Sequence, residues 1–398
     1  MENHAPWWQT ASLRAVGEEL TMDGVALHEI TRRHGTPLYV YSRATVRRQL
    51  ATLHELLTQC APRHQLYYAM KANRNPEILG AVRSVPGVGL DTCSPREVAT
   101  ALDNGFAPSE ISFNAGMLSD RDLDAVAAAG VHCTLDSFSA LRRYGARMPR
   151  GTAVGLRFDA GVTASYGHHP KMVYGKSKFG FEVQECAAAV SAAAAAGLVV
   201  DSVAMHIGWG LPQESADLVD WAFVRLAEVA RQAPDLASVN IGGGLGGRYL
   251  AADRPLSLAT WGECIARRLA PLDVTVVCEP GTWVAAPAGV LIVEVNTVEE
   301  RRHIHWIGVD AGYAINPLPA MYDIPLEILP LCRPLAPATV TSHVAGHINE
   351  GLDVWAKARL LPPVREGDLL ALFPAGAYGA SMASDHCLRG EFGEVAVG

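Results

Sequence analysis

Leu66-Tyr67-Tyr68-Ala69-Met70-Lys71-Ala72-Asn73 is an apolar run of strand length that stops on a lysine and passes into Ala-Asn. A buried strand that gives way to a loop at an amine presents a nucleophile able to condense with an aldehyde. Lys71 is therefore a candidate attachment point for a cofactor; the competing reading is a surface lysine laying its stem along apolar neighbours. The runs that follow decide the fold. Together with 66–71 they occupy 88–91, 111–114, 133–136, 153–158, 203–206, 238–242 and 274–279. Between them lie Ala-rich or amphipathic stretches, such as 183–196 and 219–232, long enough for crossover helices. Eight strand–helix repeats predict a (β/α)₈ barrel, which builds its site at the C-terminal ends of its strands. Those ends carry Lys71, Asp91, Asn114, Asp136, Arg157, His206, the glycine run at 242–247 and Glu279.

Composition sets the class. A chain of 398 residues is long enough for a barrel and an accessory domain. Hydrophobic residues make up 49% and charged residues 19%, with 37 Gly and 24 Pro, the profile of a loop-rich globular enzyme. The net charge of −8 comes without basic blocks, which argues against nucleic acid or an anionic membrane as partner. The absence of a long apolar stretch and of a basic-then-apolar leader predicts a cytoplasmic protein. Eight scattered cysteines without a Cys-x-x-Cys pair predict reduced thiols and no zinc site.

Outside the barrel, Thr36-Pro37-Leu38-Tyr39-Val40-Tyr41 reads as a strand, and the runs at 290–295, 339–344 and 368–373 alternate in the β manner. They predict a β-sandwich-like domain assembled from both termini. Residues 1–41 contribute to it, 42–285 form the barrel and 286–398 form the C-terminal β-domain.

Four local features carry chemistry. The run Asn240-Ile241-Gly242-Gly243-Gly244-Leu245-Gly246-Gly247 follows a strand and can close backbone N–H groups on an anion, although glycine clusters also make plain tight turns. Cys278-Glu279-Pro280-Gly281 ends the last strand with a carboxylate, which would also suit a turn. His206, in Met205-His206-Ile207-Gly208, offers a flat ring beside a glycine, the alternative being a satisfied core histidine. Tyr378 sits in Gly376-Ala377-Tyr378-Gly379, where a tyrosine packed at an interface would look the same. Amine, anion cradle, carboxylate for a ring nitrogen and stacking aromatic together answer the needs of pyridoxal 5'-phosphate.

With these residues the chain resembles the fold-type III pyridoxal-phosphate-dependent decarboxylases, whose members include ornithine/arginine and diaminopimelate decarboxylases. The resemblance runs through Tyr68-Ala69-Met70-Lys71-Ala72-Asn73, Asp91-Thr92-Cys93-Ser94-Pro95-Arg96-Glu97 and Ser177-Lys178-Phe179-Gly180. It continues through His206-Ile207-Gly208, Gly242-Gly243-Gly244, Glu279-Pro280-Gly281, Asp310-Ala311-Gly312, Met321-Tyr322-Asp323 and Gly376-Ala377-Tyr378. It implies that Lys71 binds the cofactor covalently, that His206 stacks on its ring, and that Gly243, Gly244 and Tyr378 hold its phosphate. It further implies that Glu279, supported by Arg157, faces the pyridine nitrogen and that Asp91 interacts with the lysine. A carboxylate at that nitrogen keeps it protonated and strengthens the electron sink, which favours decarboxylation over racemisation.

The departures bear on the substrate. Thr282 stands where the family usually has an arginine after Glu-Pro-Gly, and Trp209 where it usually has a serine. The family's Gly-Pro-x-Cys-Glu/Asp motif appears as Gly346-His347-Ile348-Asn349-Glu350, so an amide replaces the cysteine that protonates the product across a dimer interface. The resemblance puts Asn349 and Glu350 at the catalytic and substrate positions. The segment that helps diaminopimelate decarboxylase hold its distal carboxylate appears as Leu318-Pro319-Ala320-Met321-Tyr322-Asp323, without its arginine. Leu318, Tyr322, Asp323 and Trp209 are the expected substrate contacts. Reprotonation at Cα is open among Lys71, Cys387 and a held water, with Cys387 or His386, in Ser384-Asp385-His386-Cys387, the nearest replacements by motif.

The sequence thus predicts a pyridoxal-phosphate-dependent decarboxylase of an amino acid, free or carrier-tethered, other than diaminopimelate. It predicts a homodimer with shared sites. Alternatives are a racemase or epimerase, a decarboxylation-coupled transaminase, or an inactive regulatory relative.

Overall fold

The computed structural model describes residues 6–168, 170 and 172–398; the first five residues of the 1–41 segment lie outside the described residues. Two compact units emerge, one comprising 49–246 and 254–283, the other 1–48, 247–253 and 284–398. The helix Arg43–Cys60, which the sequence assigns to the barrel, is divided between them.

The first unit is the barrel. Its strands are β1 (His64–Ala69), β2 (Val88–Thr92), β3 (Ile111–Asn114), β4 (His132–Leu135), β5 (Thr152–Asp159), β6 (Leu198–Met205), β7 (Ser238–Asn240) and β8 (Thr275–Cys278). Each pairs in parallel with the next, β8 pairs with β1, and the ring is closed. Helices cover the outer faces of such strands, so both faces are dry and the strands read as continuous apolar runs rather than alternating ones. All five residues of β2 are buried.

The helices start where polar caps follow the strand ends. Asn75, Ser94, Ser119, Ser137 and Ser257 each accept a hydrogen bond from a backbone N–H in the first turn. Each such cap stabilises its helix by about 1 kcal/mol. Proline opens the helices Pro76–Arg83 and Pro95–Asp103, where its missing N–H costs nothing. These short turns keep the strand ends fixed at one rim. The longer β5–β6 connection carries a two-residue strand, Ala164–Ser165, paired in parallel with Gly208–Trp209 just beyond β6. Gly208 is required there, because a Cβ would collide with the Ala164 carbonyl.

The second unit is the β-domain, as expected from both ends of the chain. Its spine is the strand Gly289–Arg301. The first half pairs antiparallel with Leu38–Ser42 and Leu369–Phe373, and the second half with Ile304–Val309, after a register shift between Val295 and Thr297. Gly393–Val397 pairs in parallel with Leu38–Ser42. A three-stranded N-terminal sheet, Leu13–Val16, Glu19–Met22 and Val25–Ala26, adds Leu13, Leu20 and Met22 to a core with Leu38, Val290 and Phe373. Among the described residues no helix is long and apolar enough to cross a membrane.

Candidate active site

The rim at the C-terminal strand ends gathers the charges. Lys71 lies just past β1 in a single helical turn, Met70–Ala72, two residues beyond the end of the strand. Its Nζ is 3.4 Å from Asp91 Oδ2, near the end of β2. Asp91 is 2% exposed, and its other oxygen, Oδ1, has no hydrogen-bond partner among the described residues. Glu279, immediately after β8, is 7% exposed. Its Oε1 accepts hydrogen bonds from Asn240 Nδ2 at 2.6 Å and Ser112 Oγ at 3.2 Å. Asn240 also accepts from the Gly242 N–H at 2.8 Å, so one amide fixes both the carboxylate and the glycine loop. The Glu279 N–H in turn donates to the Gly242 carbonyl at 2.7 Å.

Burial decides the charge states. It pushes the Asp91 carboxyl well above the usual range, Glu279 adds to the rise, and Lys71 offsets part of it. Burial lowers the Arg157 guanidinium, against the pull of Glu279, Asp136 and Asp91. Arg157 spans toward β3, donating to Asn114 Oδ1 at 3.4 Å, and stacks over the Phe179 ring at 4.4 Å. Asp136 is raised by burial and lowered by Arg157. Burial holds His206 well below the ordinary imidazole value, and Arg157 and Lys71 lower it further, so the ring is neutral. The Gly243 N–H points at His206 Nδ1, 3.4 Å away, which leaves the ring proton on Nε2. Tyr174 packs edge-on against the same ring, with centroids 4.8 Å apart.

These residues fit pyridoxal phosphate. The lysine amine sits beside a buried carboxylate with one oxygen unspent. The glycine loop exposes bare backbone: Gly242 and Gly244 have φ of +65° and +96°, and a Cβ on Gly242 would lie 2.6 Å from His206 Nδ1. A Cβ on Gly243 would meet the Glu279 carbonyl at 2.5 Å. The loop therefore favours glycine and brings bare backbone to the place where an anion would sit, although the Gly242 N–H is already given to Asn240 and the Gly243 N–H faces His206. A neutral flat imidazole and a held carboxylate complete the donor set for a pyridine ring. Lys71, Asp91, Arg157, His206, Gly243, Gly244 and Glu279 thus lie together. Sequence reading passed over Asn240 and Ser112, which hold Glu279. Asn240 had a signal, as the residue ending β7 directly before the glycines.

Trp209, in the same unit, is buried with its ring edge-on to Tyr166, 6.4 Å between centroids. Thr282 is also buried.

The β-domain holds the remaining predicted residues. Tyr378 is half-buried with φ of +59°, a left-handed backbone costing about 1 kcal/mol for a non-glycine residue. Leu318 is buried at the start of the helix Leu318–Tyr322; Tyr322 is half-buried, and exposed Asp323 ends the helix at φ of +52°. Asp353, fully inside, accepts from the N–H groups of Ile348 and Tyr313, both at 2.8 Å, and from Trp355 Nε1 at 2.9 Å. It thereby fixes the loop that exposes Asn349 and Glu350. Glu350 Oε1 lies 2.9 Å from His386 Nε2. Cys387 is exposed at φ of +58°.

Comparison with known proteins converges on one family. A family profile described as pyridoxal-dependent decarboxylase, pyridoxal binding domain, matches residues 43–286. A diaminopimelate decarboxylase of Methanothermobacter thermautotrophicus is 32% identical over 95% of this chain and 90% of its own length. One from Pseudomonas aeruginosa is 34% identical over 95% and 92%. The crystal structure of the diaminopimelate decarboxylase of M. jannaschii with L-lysine superposes with a TM-score of 0.86 at 25% identity, covering 97% of this chain and 93% of that one.

Proposed function

We propose, from the premise that this chain belongs to the pyridoxal-dependent decarboxylases, that its substrate is an amino acid without a second carboxylate. The chain is a pyridoxal-phosphate-dependent amino acid decarboxylase; the proposal concerns which amino acid and which residues. The observation that carries it is the loss of two cations. Leu318 and Thr282 stand where the family has arginines, and both are buried. Burying a carboxylate without a cation costs several kcal/mol, and within the barrel Lys71 and Arg157 already face Asp91, Asp136 and Glu279. A neutral, cationic or partly apolar side chain suits this set, whether the amino acid is free or carrier-tethered.

Bound pyridoxal phosphate would supply an aldehyde that captures the substrate amine and a ring that accepts the electron pair left by departing CO₂. Lys71 is the amine that would hold it, and Asp91, with its raised carboxyl, can take up the lysine proton and return it. Glu279, anchored by Asn240 and Ser112, would keep the pyridine nitrogen charged, with Arg157 in support. His206 would cover one face of the ring, and Gly243, Gly244 and Tyr378 would bind the phosphate.

Leu352, two residues after Glu350, and Met382 and Leu388, on either side of His386 in sequence, are exposed apolar side chains of the kind a second copy covers. They support a homodimer in which Asn349 and Glu350 of one subunit complete the site of the other.

A panel of amino acids scored by CO₂ release tests the substrate reading. Lysine, ornithine or an apolar amino acid should exceed meso-diaminopimelate by tenfold or more in kcat/KM. Turnover of meso-diaminopimelate equal to the best of the panel sinks the proposal.

A further inference from the structure

We infer that Tyr174, carried on the connection between β5 and β6, is a positioning residue whose ring fixes the plane of the His206 imidazole. The role rests on the reading of the rim as a pyridoxal-phosphate site and adds a residue to it. The connection is folded back onto the end of β5 by two side chains. Asp159, the last residue of that strand, accepts the Gly161 N–H on Oδ1 at 2.7 Å and the Lys176 N–H on Oδ2 at 2.6 Å. Thr163 Oγ1 accepts the N–H groups of Tyr174 and Gly175, both at 2.8 Å. Glycine is required at 175, because a Cβ would collide with the Val162 backbone. Phe181–Glu182 then pairs in parallel with Phe158–Asp159, so the segment returns to the strand it left.

This clamp presents a run of rings to the rim. Tyr174 meets His206 edge-on, centroids 4.8 Å apart and planes 76° apart, within the range in which aromatic rings attract. Phe179 lies within 16° of parallel to Tyr174, centroids 6.4 Å apart, and the Arg157 guanidinium sits 4.4 Å from the Phe179 centroid. One chain of contacts, Arg157–Phe179–Tyr174–His206, therefore joins the group that would support Glu279 to the group that would cover the pyridine ring. His206 needs such a contact. Among the described residues the only hydrogen bond to its imidazole comes from the Gly243 N–H, long at 3.4 Å. The final torsion of a histidine side chain is soft, so one weak bond does not set the plane of the ring and packing must do so. The charged groups that act on the ring are Arg157 and Lys71, and Tyr174 is the titratable group packed on it. Tyr174 also helps to keep water away, and burial is the main cause of the ring's neutrality.

The test needs no turnover. It uses the full-length chain with histidine isotopically labelled at Cε1, the His206 resonance being assigned from its loss in His206→Asn. Two quantities are read: the midpoint of the His206 titration in the cofactor-free protein, and the dissociation constant for pyridoxal phosphate by absorbance titration. Tyr174→Ala, which admits water to the ring, should raise the His206 midpoint by about one pH unit or more and the dissociation constant about tenfold. Tyr174→Phe keeps the ring contact and should leave both within about twofold of wild type. Thr163→Val leaves both rings intact and only unfastens the segment. It should move both readouts in the same direction as Tyr174→Ala, which keeps the test valid if that variant folds poorly. A His206 midpoint unchanged in Tyr174→Ala and Thr163→Val, with only Tm lowered, reduces the contact to packing and overturns the inference. So does a Tyr174→Phe protein that behaves as Tyr174→Ala does. A wild type that binds no pyridoxal phosphate overturns the cofactor reading instead, and the His206 titration then still decides whether Tyr174 holds the ring.

Discussion

Lys71 and His206 show how far a single side chain's surroundings determine its chemistry. Lys71 meets one oxygen of a buried carboxylate whose other oxygen is unspent. Lys71→Ala should therefore abolish the absorbance of bound cofactor, and borohydride should fix the cofactor on Lys71 in wild type, as read by peptide mass. A label found on another lysine would refute this. His206 carries a stability signature. Its folded value lies well below 6.5, so under pH 6.5 the unfolded chain binds a proton that the native ring does not. Stability from this group is full above pH 6.5 and is lost as pH falls, by up to about 1.4 kcal/mol per pH unit. Asp91, raised in the fold, acts in the opposite sense, stability falling as pH rises above 3.8 toward its folded value. It is common to wild type and His206→Asn and cancels between them. Between pH 7.5 and 5.5 the apoprotein should lose more Tm as wild type than as His206→Asn; equal losses would show that His206 titrates normally. Lys71, Asp91 and Glu279 were legible because each ends an apolar run. Ser112 was not, because a small polar residue inside a strand acquires meaning only when the closed barrel aligns it with residue 279.

The glycine loop after β7 ties the strands to the cofactor cradle, and it is the element most sensitive to one added carbon. Gly244→Ala puts a Cβ on a backbone at φ of +96° and 3.0 Å from Leu211 Cδ1. A strain of about 1–2 kcal/mol falls on the cradle rather than on the barrel core. The dissociation constant for pyridoxal phosphate, followed by absorbance titration, should rise about tenfold or more with little change in far-UV circular dichroism. An unchanged constant would remove the loop from the anion site. All eight barrel strands were legible because burial on both faces makes each a continuous apolar run. Ile304–Val309 and Val354–Leu361 escaped notice although each pairs with a strand close to it in sequence, and others are short or lean on distant partners. Ala164–Ser165 and Gly208–Trp209 have two residues each, and Gly393–Val397 exists only through its pairing with Leu38–Ser42. Their local patterns are too brief to carry a period, and only the fold supplies the partner.

At the scale of the whole molecule, the proposed catalytic species is a pair of chains, each supplying a barrel and a Glu350-bearing loop to a different site. Lys71→Ala and Glu350→Ala would then be inactive for complementary reasons. Random pairing of equal amounts of the two makes about half of all dimers mixed, and a mixed dimer has one site with both residues intact. Activity should recover to about a quarter of wild type when the variants are co-expressed with different tags, and purification through both tags should raise it to about half. The exposed side chains of Leu352, Met382 and Leu388 suggest how the pairing can be broken. Leu388→Asp, on a side chain 83% exposed, adds a charge that a free surface tolerates and a covered one does not. It should lower the mass measured by light scattering from two chains to one and lower activity with it, while circular dichroism stays unchanged. Recovery of activity in the mixture, together with its loss in Leu388→Asp, would tie the shared site to this surface. A mixture that stays inactive while both variants form mixed dimers would instead place Lys71 and Glu350 in the same site of a single chain.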